Sequence, residues 1–150
     1  MAPAKKLAVV ACMDARLDVH RVLGLQEGDA HVIRNAGGIV TDDVIRSLML
    51  SQRLLGTREI VLLHHTECGL LNLQEDAVKR EIESEVGAAP PFALGSFADV
   101  EQDVRDSMQR IAASPFIPHK SNIRGFVYDV RTRSVHEVAA NADSVDLSRA

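Results

Sequence analysis

The sequence is poor in aromatic residues, with no Trp, one Tyr and four Phe among 150 residues. Proteins that bind nucleic acids stack bases on aromatic side chains and cluster basic residues on one face. Here the 17 Lys and Arg residues are scattered along the chain, and the formal net charge is -4. The composition therefore argues against a nucleic-acid partner.

Long hydrophobic runs are also missing. No segment approaches the roughly 20 consecutive apolar residues that a membrane span requires. Residues 1–6 lead straight into an apolar segment, and they carry neither the long apolar stretch nor the cleavage pattern of a secretory signal. We expect a cytoplasmic protein that makes no membrane contact.

Cysteine is scarce, because Cys12 and Cys68 are the only two in the chain. The reducing cytoplasm disfavours a disulfide between them, so metal binding or catalysis is the better account of both. A buried free cysteine that packs as a small hydrophobic residue is the alternative for either one taken alone.

The rest of the composition is ordinary for a soluble globular protein, with 46% hydrophobic and 25% charged residues. A chain of this length can bury a sizeable core, and no linker, repeat or low-complexity stretch divides it. We expect a single domain over residues 1–150, with a short N-terminal lead at 1–6 and a polar tail at 141–150.

Strand-like and helix-like patterns alternate along the chain. The predicted strands are Leu7–Cys12, Ala30–Arg34, Ile60–Leu63 and Ile123–Val130, with an antiparallel edge strand at Ser134–Val138. The predicted helices are Leu17–Leu23, a helix capped by Thr41 and ended by Gly56, Leu73–Val86, and a helix whose start is capped by Ser96 with Asp99 three residues later. The buried stripe of the second helix is expected at Val44, Ile45, Leu48, Leu54 and Leu55. This order predicts an α/β fold with a central, mostly parallel sheet of about four strands plus an edge strand, flanked by helices.

Two cysteines and a histidine lie at the ends of two predicted strands. Cys12 ends the first strand, and His65 and Cys68 follow the third. Because ligands gather at the carboxyl ends of parallel strands, we expect these three side chains to converge. Zinc favours four tetrahedral N and S ligands, and a catalytic site offers only three from the protein. The pattern predicts one Zn²⁺ per chain.

Asp14 and Arg16 follow Cys12 closely. Asp14 is near enough to reach the fourth zinc position and to orient a hydroxide there. Arg16 can hold both carboxylate oxygens in a bidentate pair and keep Asp14 ionised. Two alternatives stay open: Asp14 caps a helix that begins near Ala15 while Arg16 is solvated, or Asp14 itself binds the metal and closes the site.

The residues that carry these hypotheses resemble the motifs of the β-class carbonic anhydrases. In order, they are Cys12-x-Asp14-x-Arg16, Arg34-Asn35-Ala36-Gly37 and His65-x-x-Cys68-Gly69. The likeness is greatest to compact archaeal and actinobacterial members, and it runs from about Leu7 to about Val138. It implies that Cys12, His65 and Cys68 bind zinc. It also implies that the pair of Asp14 and Arg16 positions hydroxide, or closes the site when Asp14 moves onto the metal.

The same resemblance implies the reversible hydration of carbon dioxide to bicarbonate by a homodimer or larger homo-oligomer. The chain lacks the glutamine that plant-type members carry upstream of the first strand, since its first glutamine is Gln26. His64 stands where several members have glycine. We interpret it as a packed or solvated histidine in preference to a proton relay.

Two other functions are compatible with parts of the pattern. The same zinc site could hydrolyse carbonyl sulfide or carbon disulfide, and the zinc would be purely structural if Asp14 were bound permanently. A cysteine phosphatase would need an arginine six positions after Cys12, where Asp18 stands. The turn Asn35-Ala36-Gly37-Gly38 could cradle an anion, although a tight turn is the plainer interpretation.

Overall fold

The structure is a computed structural model that describes residues 1–140. Its strands are β1 (Leu7–Cys12), β2 (Ala30–Asn35), β3 (Glu59–His65), β4 (Ile123–Tyr128) and β5 (Val135–Val138). Its α-helices are α1 (Val19–Leu23), α2 (Asp42–Leu55), α3 (Glu75–Val86) and α4 (Val100–Ala113), and a short 3₁₀ turn covers Ala36–Gly38. The predicted polar tail at 141–150 lies outside the described residues.

The five strands form one sheet in the order β2-β1-β3-β4-β5. The first four are parallel, and β5 pairs antiparallel with β4. This confirms the predicted α/β fold with four parallel strands and an antiparallel edge strand. Every residue of β1 is buried, as expected for a central strand with both faces covered.

Alternate residues of the central strands face two separate cores, because successive side chains of a strand point to opposite sides. On one side, Val10 packs in a cluster with Leu48 of α2 and Ile111 of α4. On the other, Val9 packs with Val19 of α1. None of the helices within residues 1–140 has the length and hydropathy to cross a membrane.

Helix α2 has the predicted ends. Thr41 Oγ1 accepts the N–H of Val44 at 3.2 Å, and Asp42 and Asp43 occupy the first turn near the positive end of the helix dipole. Gly56 ends the helix with a φ of 75°, a left-handed conformation that glycine adopts without steric cost.

The buried stripe of α2 differs from the prediction at its C-terminal end. Val44 and Leu48 are buried as expected, but Leu54 is 74% exposed and Leu55 is 37% exposed. Ser51 faces inward in their place, since its hydroxyl lies 2.7 Å from the hydroxyl of Thr57. The polar contact orients the last turn so that two leucines meet solvent.

Three predicted helix starts were wrong. α3 begins at Glu75 rather than Leu73. α1 begins at Val19 rather than Leu17, because Asp18 accepts a backbone N–H of the first turn. α4 is capped by Asp99 rather than Ser96. The Ser96 hydroxyl donates instead to the carboxylate of Glu75, 3.2 Å away.

Candidate metal centre

The adjacent strands β1 and β3 bring the predicted metal ligands together. Cys12 is the last residue of β1, and His65 is the last residue of β3. Cys68 lies three residues further on, in the loop after β3. The two sulfurs and one ring nitrogen all lie within 4.8 Å of one another. This is the N/S donor set that zinc prefers.

The ring of His65 is oriented for metal binding. Its Nδ1 lies 2.7 Å from the carbonyl oxygen of Thr66, and since a carbonyl only accepts, Nδ1 carries the proton. The other nitrogen, Nε2, is buried and makes no hydrogen bond within residues 1–140. A buried nitrogen acceptor without a partner is costly. A metal ion between His65 and the two thiols would satisfy it, so the residues fit the group.

The two thiols share their protons unequally. The hydrogen bond from Cys68 lowers the pKa of Cys12 to about 3, and it raises the pKa of the Cys68 thiol. Backbone N–H groups of Asp14 and Gly37 are aimed at the Cys12 sulfur and add to the lowering. The lowered pKa keeps Cys12 in the thiolate form, which is the form that binds metal ions.

The carboxylate of Asp14 is held by Arg16, as predicted. Oδ1 accepts the backbone N–H of Arg16 at 2.8 Å and its Nε at 3.1 Å, while Oδ2 accepts Nη2 at 3.0 Å. The guanidinium holds the pKa of Asp14 at about 2. Oδ2 lies 3.7 Å from Nε2 of His65, beside the ligand cluster but not part of it. The alternative prediction that Asp14 caps α1 is wrong, because Asp18 does so.

Arg34 has a role that its motif did not predict. Its Nε donates to the carbonyl oxygen of Cys12 at 3.0 Å, and its Nη2 donates to that of Asp14 at 2.9 Å. Arg34 therefore fixes the main chain on both sides of Met13, where β1 ends. In the sequence, Arg34 ends a predicted strand and begins the motif Arg34-Asn35-Ala36-Gly37, but neither feature indicated these contacts.

The turn Asn35–Gly38 supports the same strand end. The side chain of Asn35 accepts the N–H of Ile39 and donates to its carbonyl, both at 3.0 Å. Gly38 has a φ of 62°, and a Cβ there would lie 2.9 Å from backbone atoms of Ala11 and Cys12. The interpretation as a tight turn accounts for these contacts.

Comparison with known proteins agrees with this geometry. The carbonic anhydrase family model matches residues 7–135. Beta-carbonic anhydrase 1 of Mycobacterium tuberculosis is 58% identical over 138 residues, which cover 92% of this chain and 85% of that protein. The chain belongs to the β-carbonic anhydrase family.

This β-carbonic anhydrase is also similar to two proteins with different names. The crystal structure of carbonic anhydrase from Streptococcus mutans superimposes with a TM-score of 0.87 at 44% identity, covering 92% of this chain and 84% of that one. Carbon disulfide hydrolase of Acidithiobacillus thiooxidans is 37% identical over 148 residues, which cover 85% of this chain and 74% of that protein. The chain is thus also similar to a protein named for a different substrate.

His64 of this β-carbonic anhydrase is a packed histidine. It is 2% exposed, and its Nε2 donates to Oδ2 of Asp103 on α4 at 2.8 Å. Its ring lies 6.3 Å from that of Phe97. The predicted packing is confirmed in its buried form, whereas Asp103 was not recognised because it follows His64 by 39 residues.

Proposed function

We propose that this β-carbonic anhydrase catalyses the reversible hydration of carbon dioxide to bicarbonate with one Zn²⁺ per chain. Cys12, His65 and Cys68 are the proposed ligands. The observation that carries the proposal is the convergence of three ligand atoms within 4.8 Å, with the buried Nε2 of His65 lacking a hydrogen-bond partner among the described residues. The 58% identity to Beta-carbonic anhydrase 1 supports the substrate.

A zinc ion bound by these ligands supplies a Lewis acid that makes water a sufficiently strong nucleophile near neutral pH. Asp14 is the proposed catalytic residue, because its ionised carboxylate accepts a hydrogen bond from the attacking oxygen and aims the oxygen lone pair at carbon dioxide. Arg16 is a positioning residue that keeps Asp14 ionised through a bidentate pair.

Asp14 is also the proposed fourth ligand of a closed state. Moving onto the metal would require Asp14 to give up its hydrogen bonds to Arg16. We therefore propose that the active form is the open state, in which Asp14 is hydrogen-bonded to Arg16. This argues against the purely structural zinc site, which needs Asp14 to be bound permanently.

Carbon disulfide or carbonyl sulfide hydrolysis is the second candidate function. It is supported by the relative named carbon disulfide hydrolase, which is 37% identical over 148 residues. Both molecules are linear like carbon dioxide, so the same nucleophile and the same Asp14 would serve. The higher identity to Beta-carbonic anhydrase 1 favours carbon dioxide.

We also propose a cytoplasmic homodimer or larger homo-oligomer. β2 lies at an edge of the sheet, and an edge strand is a template for pairing with another strand. A groove of about 290 Å³ beside it is lined by residues that include His31, Leu50, Leu54 and Leu55. Two copies related by a two-fold axis would pair β2 with β2 and cover each other's leucines. A reducing compartment would keep Cys12 and Cys68 available as ligands.

The decisive experiment combines metal analysis with stopped-flow measurement of carbon dioxide hydration. We expect one zinc per chain and measurable hydration, and we expect Cys12→Ser to lose both. Zinc-loaded protein that fails to hydrate carbon dioxide from neutral to alkaline pH would refute the proposal. Faster release of sulfide from carbon disulfide than hydration of carbon dioxide would establish the second candidate instead.

A further inference from the structure

The segment between α3 and α4 pairs with the loop that carries Cys68. We name residues 88–99 the strap and residues 66–73 the ligand loop. The N–H of Phe97 donates to the carbonyl of Leu70 at 3.2 Å, and the N–H of Asn72 donates to the carbonyl of Phe97 at 2.7 Å. These bonds form a parallel bridge between Leu71 and Phe97. The strap thus holds the ligand loop by its main chain.

Within the ligand loop, two main-chain N–H groups hold Cys68. The N–H of Leu71 donates to the carbonyl of Cys68 at 3.0 Å, and the N–H of Leu70 is aimed at the Cys68 sulfur. Leu70 is therefore bonded to the strap through its carbonyl and to the sulfur through its N–H. If the strap shifts, Leu70 must move with it, and the sulfur of the proposed metal ligand Cys68 is displaced.

One carboxylate oxygen anchors the strap. Glu75 Oε1, at the start of α3, accepts the N–H of Gly95 at 3.1 Å, the N–H of Ser96 at 3.3 Å and the Ser96 hydroxyl at 3.2 Å. Backbone N–H groups of Leu94 and Ser96 hold the pKa of Glu75 below its ordinary value. The side chain of Glu75 is 26% exposed, so these charge-assisted bonds are partly shielded from water.

The strap also reaches the other half of the centre. Gly95 has a φ of 89°, and a Cβ there would lie 2.7 Å from Cδ1 of Ile39. Ile39 directly follows Gly38, whose backbone lies against the end of β1 at Cys12. The strap therefore pairs with the loop that carries Cys68 and lies against Ile39, beside the turn that supports Cys12.

We propose that Glu75 is a positioning residue of the metal centre. It holds the strap, and the strap holds the ligand loop so that Cys68 keeps its place facing Cys12 and His65. Glu75 does not contact the metal site itself, and it acts through Ser96 and Phe97. The inference rests on the proposed metal site but not on the identity of the substrate.

The test uses full-length protein loaded with Co²⁺, whose thiolate absorption band reports the geometry of the cysteine ligands. The readouts are this band, the rate of metal release to a chelator, and amide hydrogen exchange at Asn72 and Phe97. We expect Glu75→Ala to release metal about tenfold faster, to alter the band and to expose both amides to exchange, an effect typical of a lost outer contact. Glu75→Gln keeps an acceptor oxygen and is expected to lie close to the wild type.

The matched control is Lys79→Ala, which removes the ion partner of Glu75 at 3.7 Å and leaves the strap contacts in place. If Glu75→Ala does not fold, Ser96→Ala removes one of the anchoring donors and is expected to speed metal release in the same direction. Release rates and exchange in Glu75→Ala or Ser96→Ala that match Lys79→Ala would overturn the inference. Wild-type protein that shows the cobalt band but does not hydrate carbon dioxide when loaded with zinc would refute the proposed function alone.

Discussion

At the scale of single residues, the metal centre is organised by charge. Asp14 stays ionised beside the cysteines because Arg16 meets both of its oxygens, and Glu67 accepts a further hydrogen bond from Arg16 through its carbonyl at 3.1 Å. The Arg16 side chain is 50% exposed, so its pairing with Asp14 is worth less in free energy than a buried pair would be. Its value is that it sets the position and the ionisation of one carboxylate.

Replacing Asp14 by Asn should separate metal binding from catalysis. An amide has nearly the same shape as the carboxylate but lacks its charge, so we expect Asp14→Asn to keep zinc and to lower kcat by about 10²-fold or more. Stopped-flow hydration and metal analysis measure the two quantities. The matched control is Asp43→Asn, which breaks an exposed pair with Arg46 on α2. It should change neither the zinc content nor kcat. Loss of zinc in Asp14→Asn would contradict the catalytic assignment.

Metal affinity should rise with pH. The pKa of Cys12 is lowered to about 3, so its thiolate is present throughout the neutral range, whereas the raised pKa of Cys68 keeps that thiol protonated. The metal must therefore displace a proton from Cys68, and lowering the pH opposes binding. Titration calorimetry in buffers of different ionisation enthalpy should show release of about one proton from Cys68 at neutral pH. A further fraction should come from His65, whose pKa is raised because its contacts with the Cys12 sulfur outweigh the effect of burial. Binding without proton release would be inconsistent with this pair.

At the scale of elements, the turn after β2 fixes the end of β1. Gly38 places its backbone against Ala11 and Cys12, closer than any side chain would allow. Together with the hydrogen bonds from Arg34 to the carbonyls of Cys12 and Asp14, this contact holds the end of the central strand. The position of one metal ligand thus depends on an element that contributes no ligand.

Gly38→Ala should weaken metal binding beyond its cost in stability. The added Cβ would lie 2.9 Å from main-chain atoms that cannot rotate away, so the end of β1 must shift. Gly24→Ala is the matched control, because its φ is also positive at 66° but nothing lies within 4 Å of the added atom. We expect Gly24→Ala to lose about 1 kcal/mol of unfolding free energy through its positive φ, and Gly38→Ala to lose more because its Cβ also meets the main chain. Only Gly38→Ala should lose zinc affinity. Equal zinc affinity in the two variants would show that the close contact is unimportant.

At the scale of the whole molecule, the sheet order separates two surfaces. The carboxyl ends of β1 and β3, at the centre of the sheet, carry the metal centre. The outer edge at β2 carries the apolar groove, where Leu54 is 74% exposed. An exposed leucine next to a free strand edge is suited to a self-association surface.

Leu54→Glu should therefore lower the molecular mass in solution. Two copies of the introduced charge would be buried without partners at the proposed interface, and we expect dissociation toward monomer. Val86→Glu is the matched control, because Val86 is 70% exposed on α3 and lies outside the groove. Light scattering after size-exclusion chromatography measures the mass. A wild-type monomer, or equal masses for both variants, would contradict the proposed interface.

The sequence alone was sufficient to predict the order of strands and helices, the mostly parallel sheet and the clustering of Cys12, His65 and Cys68. These features depend on periodicity within short segments and on the rule that parallel strands align their carboxyl ends. The pair of Asp14 and Arg16 was equally accessible, since Arg16 follows Asp14 by only two positions. Local patterns predict local contacts.

Only the tertiary structure decided the contacts that support the centre. Arg34 reaches Cys12 across 22 residues, Glu75 reaches Ser96 across 21, and His64 reaches Asp103 across 39. The exposure of Leu54 likewise followed from a polar contact of Ser51 that its helical spacing did not reveal. Such contacts form when distant segments pack together. A short stretch of sequence contains only one of the two residues, so it cannot predict the contact.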